Sequence, residues 1–242
     1  MCGDSRKCRT LRARSLAPSM TIEIIPSLLV ESKSEFERRL RLVENDCEVV
    51  HVDILDGTLF PNTTWFDATA VGAMRTNVKY ELHLMVENPL PIVEAWREHV
   101  ETMHRAIVHS EIHRPLGAVI EHIKDMMKLE AGVALNPETP LGEMHEVLHK
   151  LDQVTIMGVH PGQSGQAFLG DFVLDKIREV RNHRPDIAIE IDGGVTDDLL
   201  EPCIRAGATR ICAASLLFSC ENPAAKLKDL RSRATLLSTK LS

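Results

Sequence analysis

Aromatic residues are scarce in this 242-residue chain, at 4%, with one tyrosine and two tryptophans. That scarcity argues against a surface that stacks nucleic-acid bases and against the aromatic belt of a membrane protein. Long apolar runs are missing as well; none approaches the roughly 20 residues that span a bilayer. Excess basic charge is also lacking. The formal net charge is -7, which speaks against a binder of the nucleic-acid phosphate backbone. No Cys-x-x-Cys pair occurs among Cys2, Cys8, Cys47, Cys203, Cys212 and Cys220. A chain of this size needs no disulfide scaffold. The thiols are read as reduced, in a cytoplasmic protein, some of them filling the core as small hydrophobes. Neither a nucleic acid nor a membrane is expected as a partner.

One segment departs from this acidic balance. Residues 1–20 hold Arg6, Lys7, Arg9, Arg12 and Arg14 against Asp4, so they carry +4 and leave -11 on the remaining 222 residues. They lack the apolar stretch of a secretory signal. We read them as a disordered basic extension, or as the product of an upstream start, and place one folded domain over residues 21–242.

What is present is a rhythm. Short β-branched runs fall at Ile22–Ile25, Glu48–Ile54, Lys79–Met85, Arg105–His109, Ala131–Leu135, Gln153–Met157, Ile187–Ile191 and Thr209–Cys212. Between them lie segments with apolar residues at helical spacing, such as Phe36, Leu40, Leu42 and Val43, or Phe172, Val173, Ile177 and Val180. Eight strands alternating with helices predict parallel βαβ units. The count and regular spacing favour a closed (β/α)8 TIM barrel. The Gly-x-Gly-x-x-Gly fingerprint of a dinucleotide-binding sheet is missing after the first strand.

In such barrels the chemistry sits at the C-terminal ends of the strands. His51 and Asp53 are two apart on the second strand, so they face the same way, while Val50, Val52 and Ile54 face the helices. The third strand contributes His83 and the seventh Asp192. Any one of these could be a satisfied polar residue. Together they form a mixed nitrogen and oxygen set suited to one divalent ion such as zinc, iron(II), manganese or cobalt. Glycines follow the sixth strand (Gly162, Gly165) and the seventh (Gly193, Gly194). They either let the backbone approach a phosphate or simply make turns.

A longer set of motifs runs in order through residues 21 to about 220. It comprises Ile25-Pro26-Ser27-Leu28-Leu29, His51-Val52-Asp53-Ile54-Leu55-Asp56-Gly57 with Pro61-Asn62, and His83-Leu84-Met85-Val86. Val108-His109-Ser110-Glu111, Leu135-Asn136-Pro137-Glu138-Thr139-Pro140, Met157 with Pro161-Gly162, and Asp192-Gly193-Gly194-Val195 complete it. This set resembles the ribulose-phosphate 3-epimerase family. The resemblance implies a metal held at His51, Asp53, His83 and Asp192, with Asp53 and Asp192 as the acid–base pair. It also implies a small sugar-phosphate substrate contacted by Ser27, His83, Gly162, Gly165, Gly193, Gly194, Ala214 and Ser215. Met85 and Met157 match methionines near the metal, and a homo-oligomer is expected.

The implied reaction inverts C3 of D-ribulose 5-phosphate to give D-xylulose 5-phosphate through an enediolate. Several positions depart from the family pattern: Gln163 and Ser164 replace a Phe-Gly pair, and His160 stands where Asn, Asp or Glu is usual. Ala214 replaces a glycine, Leu55 a methionine, and Trp65-Phe66 smaller residues. The drift leaves open another ketose phosphate, such as allulose 6-phosphate, or a diverged barrel that only binds a ligand. A decarboxylase of the orotidine type would need Asp-x-Lys-x-x-Asp, and Asp53-Ile54-Leu55-Asp56 supplies no lysine.

Overall fold

A computed structural model describes residues 21–162 and 165–241. The expectations for residues 1–20 and for Gln163 and Ser164 lie outside the described residues. Eight parallel strands close on themselves: β1 (Glu23–Leu28), β2 (Val49–Leu55), β3 (Lys79–Met85), β4 (Met103–His109), β5 (Glu130–Leu135), β6 (Gln153–Met157), β7 (Ala188–Asp192) and β8 (Arg210–Ala213). β8 pairs with β1, so no edge is left open. The arrangement is the (β/α)8 barrel.

Around it lie α1 (Lys33–Val43), α2 (Ala68–Gly72), α3 (Leu90–His99), α4 (Leu116–Glu121), α5 (Asp171–His183), α6 (Leu200–Ala206), α7 (Ser215–Phe218) and α8 (Pro223–Leu241). In α1, Ser32 caps the first turn by accepting the Glu35 N–H, and Phe36, Leu40 and Val43 turn inward at intervals of four and three. Leu42 does not join them, being 36% exposed. Two residues beyond Leu40 is about 200° around the helix, which points to solvent. In α5, Val173, Ile177 and Val180 are buried, whereas Phe172 in the first turn is 45% exposed. Leu42 and Phe172 thus lie off the core stripe that their spacing suggests.

The strands are buried on both faces, as a covered parallel sheet requires. Val50, Val52 and Ile54 join the shell between barrel and helices; His51, Asp53 and Leu55 alternate with them and turn inward. The helical rhythm fails after β5. Two 3-10 turns, Leu141–Met144 and Leu148–Lys150, take the place of an α-helix. Pro140 and Gly142 at the start of that segment disfavour anything longer. β1 also runs past Ile25 to Leu28, carrying Pro26 opposite Ala213 and bringing Ser27 to the barrel mouth. Finally, α8 lies against β1, α1 and α6, tying the last unit to the first.

Candidate active site

Strand register builds the site. Asp53 lies beside His83 across β2 and β3, and Met157 lies beside Asp192 across β6 and β7. All four project into the C-terminal end of the barrel. His83 Nδ1 lies 2.9 Å from Asp53 Oδ1 and 3.3 Å from Asp192 Oδ2. His51 Nε2 is 3.3 Å and 4.0 Å from the same two carboxylates. Ser27 donates its hydroxyl hydrogen to the other oxygen of Asp53 over 2.6 Å. One ligand atom from each of His51, Asp53, His83 and Asp192 falls within 4.8 Å of every other.

The set fits a metal ion. His51 Nε2 is fully buried and aims into the cluster, but makes no well-aligned hydrogen bond even to Asp53 Oδ1 at 3.3 Å. A buried ring nitrogen left bare is costly unless something electrophilic meets it. Its other nitrogen, Nδ1, lies 2.8 Å from Glu81 Oε1. A carboxylate behind the imidazole is the arrangement that orients a ligating histidine.

The charges agree with the geometry. Burial alone would raise the Asp53 carboxyl, but His51 and His83 hold it well below the usual carboxylate range. Burial pulls His83 down, yet its hydrogen bonds to Asp192 and Asp53 bring it up to about 9. In the ion-free protein a proton on His83 therefore offsets part of the carboxylate charge. A divalent cation would take over that role and release the proton.

Beneath this cluster sits a second polar group: His51, Glu81, Glu190 and Cys212. It is already largely paired. Glu81 forms an ion pair with Arg105, which also donates from Nε to Glu130 over 2.8 Å. Thr155 donates to Glu190 Oε1 over 3.0 Å and itself accepts from Gln153. Glu190 is pushed up to about 8 by its burial and by the adjacent Glu81 charge, so it stays neutral at pH 7. Glu81 is held well below its usual range, since Arg105 and His51 outweigh its burial. This layer reads as a support for His51 rather than as an ion site.

Above the four ligating groups opens a cleft at the barrel mouth. Ser27, Asp53, Met85, Met157, Gly162, Gly165, Asp192, Gly193, Gly194, Ala214 and Ser215 line it. Asn62 donates from Nδ2 to the Gly162 carbonyl over 2.7 Å, linking the β2 and β6 loops at the mouth.

Residues 23–218 match the sequence model described as the ribulose-phosphate 3 epimerase family. The chain belongs to the ribulose-phosphate 3-epimerase family. It is thus of the isomerase class, an epimerase acting on carbohydrates. Ribulose-phosphate 3-epimerase of Bacillus subtilis is 32% identical over 220 residues, covering 87% of this chain and 98% of that protein. The enzyme of the same name from Synechocystis sp. is 34% identical over 228 residues, covering 88% and 94%. Among solved structures, 3-hexulose-6-phosphate synthase from Salmonella typhimurium superposes with a TM-score of 0.67 at 12% identity, covering 89% of this chain and 100% of that one. That likeness concerns the fold.

Against this family pattern the structure locates the drifted positions. His83 lies beneath the cleft floor, fully buried, rather than on its wall. Trp65 packs edge-on against Phe36 of α1, with ring centroids 5.2 Å apart. Phe66 offers its carbonyl to Trp96 Nε1. The pair sits in the outer shell because the β2 loop folds back under α1, which spacing alone does not reveal. His160 faces Glu138 on the surface at 3.5 Å. Leu55 is fully buried against Gly162.

Gly193 and Gly194 are required by packing whatever they bind. A Cβ on Gly194 would stand 2.8 Å from the Phe168 backbone, and both Gly193 and Gly194 have positive φ. Two groups next to the site have no role in the sequence reading: the Glu81–Glu190 layer and the pair His109 and Glu111. Glu81, Glu190 and His109 share the period-two face that singles out His51 and Asp53, and extending that alternation along each strand would find them.

Proposed function

We propose that this protein epimerises C3 of D-ribulose 5-phosphate to give D-xylulose 5-phosphate, with Asp53 and Asp192 as the acid–base pair. The observation that carries the reading is the convergence of two carboxylates, from β2 and β7, on one cleft floor. They lie 2.9 and 3.3 Å from the same His83 nitrogen and are 4% and 8% exposed. Inversion next to a carbonyl needs a base on one face of the carbon and an acid on the other. Two carboxylates approaching from different strands supply that pair. Ser27 steadies Asp53, so its carboxylate meets one face of the carbon in a fixed orientation while Asp192 serves the other.

His51, Asp53, His83 and Asp192 would hold one divalent ion. When bound, it would act as a Lewis acid that offsets the negative charge developing on the C2 and C3 oxygens of the enediolate. Zinc, iron(II), manganese and cobalt all suit the donor set, and availability decides between them. Met85 and Met157 are nearly fully buried at the cleft floor and keep water from the reacting carbon. The loops carrying Gly165, Gly193, Gly194, Ala214 and Ser215 are assigned the phosphate. The same reading expects a homo-oligomer, which light scattering would check.

The test is turnover of D-ribulose 5-phosphate by metal-loaded protein, beside allulose 6-phosphate. Faster turnover of the pentose supports the assignment. Equal or better rates on the hexose would move the substrate, and no turnover of either by ion-loaded protein would point to a barrel that only binds a ligand.

A further inference from the structure

The Val108–Glu111 motif has no part in the chemistry above, yet two of its side chains reach the ion-facing cluster. His83 Nδ1 faces Asp53 and Asp192, while its Nε2 lies 2.9 Å from His109 Nε2. The two rings stack at 17°, centroids 5.0 Å apart. His109 Nδ1 is in turn 3.0 Å from Glu111 Oε2. Both imidazoles are fully buried, and Phe60 stands edge-on against His109 at 4.9 Å.

Hydrogen-bond arithmetic allows one order along this chain. Glu111 Oε1 accepts the Asn136 N–H at 2.9 Å and the Thr139 hydroxyl; burial would raise its carboxyl, but these bonds and His109 hold it down at about 2, so Glu111 acts as an ionised acceptor. His109 must then carry its hydrogen on Nδ1, because a bare nitrogen facing a carboxylate would repel it. A neutral His109 has a bare Nε2, which accepts from the His83 Nε2–H. With its Nδ1 turned to the ion-facing carboxylates, His83 keeps its hydrogen on Nε2, and His109 Nε2, 2.9 Å away, is the acceptor. His83 is left with Nδ1 as the one nitrogen able to give a lone pair to an ion.

The far end is also anchored. Lys176 of α5 donates to the carbonyls of Asn136, Pro137 and Thr139 at 2.9, 2.6 and 2.6 Å. That fixes the loop whose N–H and hydroxyl orient Glu111.

We propose that Glu111 and His109 are positioning residues that lock His83 in one tautomer and present its Nδ1 as the ligating atom. The inference rests on the metal-centre reading of the four-residue cluster. A histidine so held is oriented before the ion arrives, and outer partners of this kind change metal affinity by about 10- to 100-fold.

The test uses the whole chain with nitrogen-15-labelled imidazoles and zinc as the probe ion. Long-range proton–nitrogen spectra are expected to show His109 as the Nδ1–H tautomer with and without zinc, and zinc-loaded His83 as Nε2–H. An Nε2–H on His109, or zinc-loaded His83 protonated at Nδ1, would overturn the relay without any variant being made. Chelator competition should then show zinc held about 10- to 100-fold more weakly by His109→Phe, which keeps a ring but no acceptor. His109→Gln, which returns an acceptor, should recover most of the loss. Equal zinc affinity in His109→Phe and the parent chain would refute the positioning role. A parent chain that binds no zinc, cobalt or manganese would instead bring down the metal-centre reading itself.

Discussion

Two polar layers lie one above the other inside this barrel, a few ångströms apart and both buried, and they are completed differently. In the lower layer Glu81 meets Arg105, Arg105 meets Glu130, and Thr155 bridges Gln153 and Glu190. Nearly every group has its partner. The exception, Glu190 Oε2, belongs to a carboxyl that burial keeps neutral. In the upper layer two carboxylates and two imidazoles crowd one point, and His51 Nε2 makes no well-aligned hydrogen bond, its nearest neighbour being the Asp53 carboxylate at 3.3 Å. Buried polar groups in proteins are paired as a rule. A layer that obeys the rule holds the barrel together, and one that breaks it at a charged cluster is where a ligand belongs. His51 joins the two, with Nδ1 on Glu81 below and Nε2 bare above.

The comparison breaks most cleanly at the upper layer. Asp53→Asn and Asp192→Asn each keep the shape and remove the proton-carrying group. Each is expected to lower kcat by about 10²- to 10⁴-fold, the range for general acid–base groups. Either variant retaining near-parental kcat would remove that aspartate from the acid–base pair. The lower layer should respond in the opposite sense. Arg105→Met strands the Glu81 charge in the interior, which costs about 3–5 kcal/mol of stability. The folded fraction should keep most of its kcat. A stable Arg105→Met protein with no activity would mean that the lower layer takes part in the chemistry.

A smaller effect separates the two acids of the lower layer by pH. Glu190 has a folded pKa of about 8 against 4.5 for the ordinary group in the unfolded chain, raised by burial and by Glu81. The stability tied to its proton is complete below the unfolded value and is lost as pH rises through the folded one. Glu190→Gln mimics the neutral acid at every pH, so it should flatten that part of the curve. The difference between the two proteins should be on the order of 3 kcal/mol between about pH 5 and about pH 8, or several degrees in Tm. Thermal melts at both pH values check it. Parallel curves for the two proteins would mean that Glu190 is already ionised at neutral pH.

The upper layer is legible in the sequence because period two on a strand puts His51 and Asp53 on one face, and strand ends in a barrel point to one mouth. The eight strands are legible as short β-branched runs between helical segments, with β1 and β4 off by two or three residues at one end. The lower layer is not. Glu81, Arg105 and Glu190 sit on the same inward faces, but which of them touch depends on strand stagger around the closed barrel, and that appears only in the paired register. The missing helix after β5 is hidden because apolar residues at short spacing suit 3-10 turns as well as an α-helix. The seat of Trp65 is hidden because its partner, Phe36, lies far back in the chain on α1.

The mildest perturbation tests the rim of the upper layer, where Ala214 stands in place of the family's glycine. It lines the cleft just before α7, with φ -98° and ψ -87°, a backbone that does not demand glycine. Removing the methyl therefore brings no relief of strain and costs about 0.5–1 kcal/mol through the unfolded chain. Any gain must come from the ligand. If the methyl crowds a phosphate oxygen, Ala214→Gly should lower KM for D-ribulose 5-phosphate about threefold, under about 1 kcal/mol, with kcat unchanged. Inorganic phosphate should inhibit the variant more strongly by a similar factor, since it reports the anion subsite without the sugar. An unchanged KM together with unchanged inhibition would show that the methyl does not touch the anion. The loop would then have adapted around alanine, and the departure from the family at this position would be neutral for the substrate.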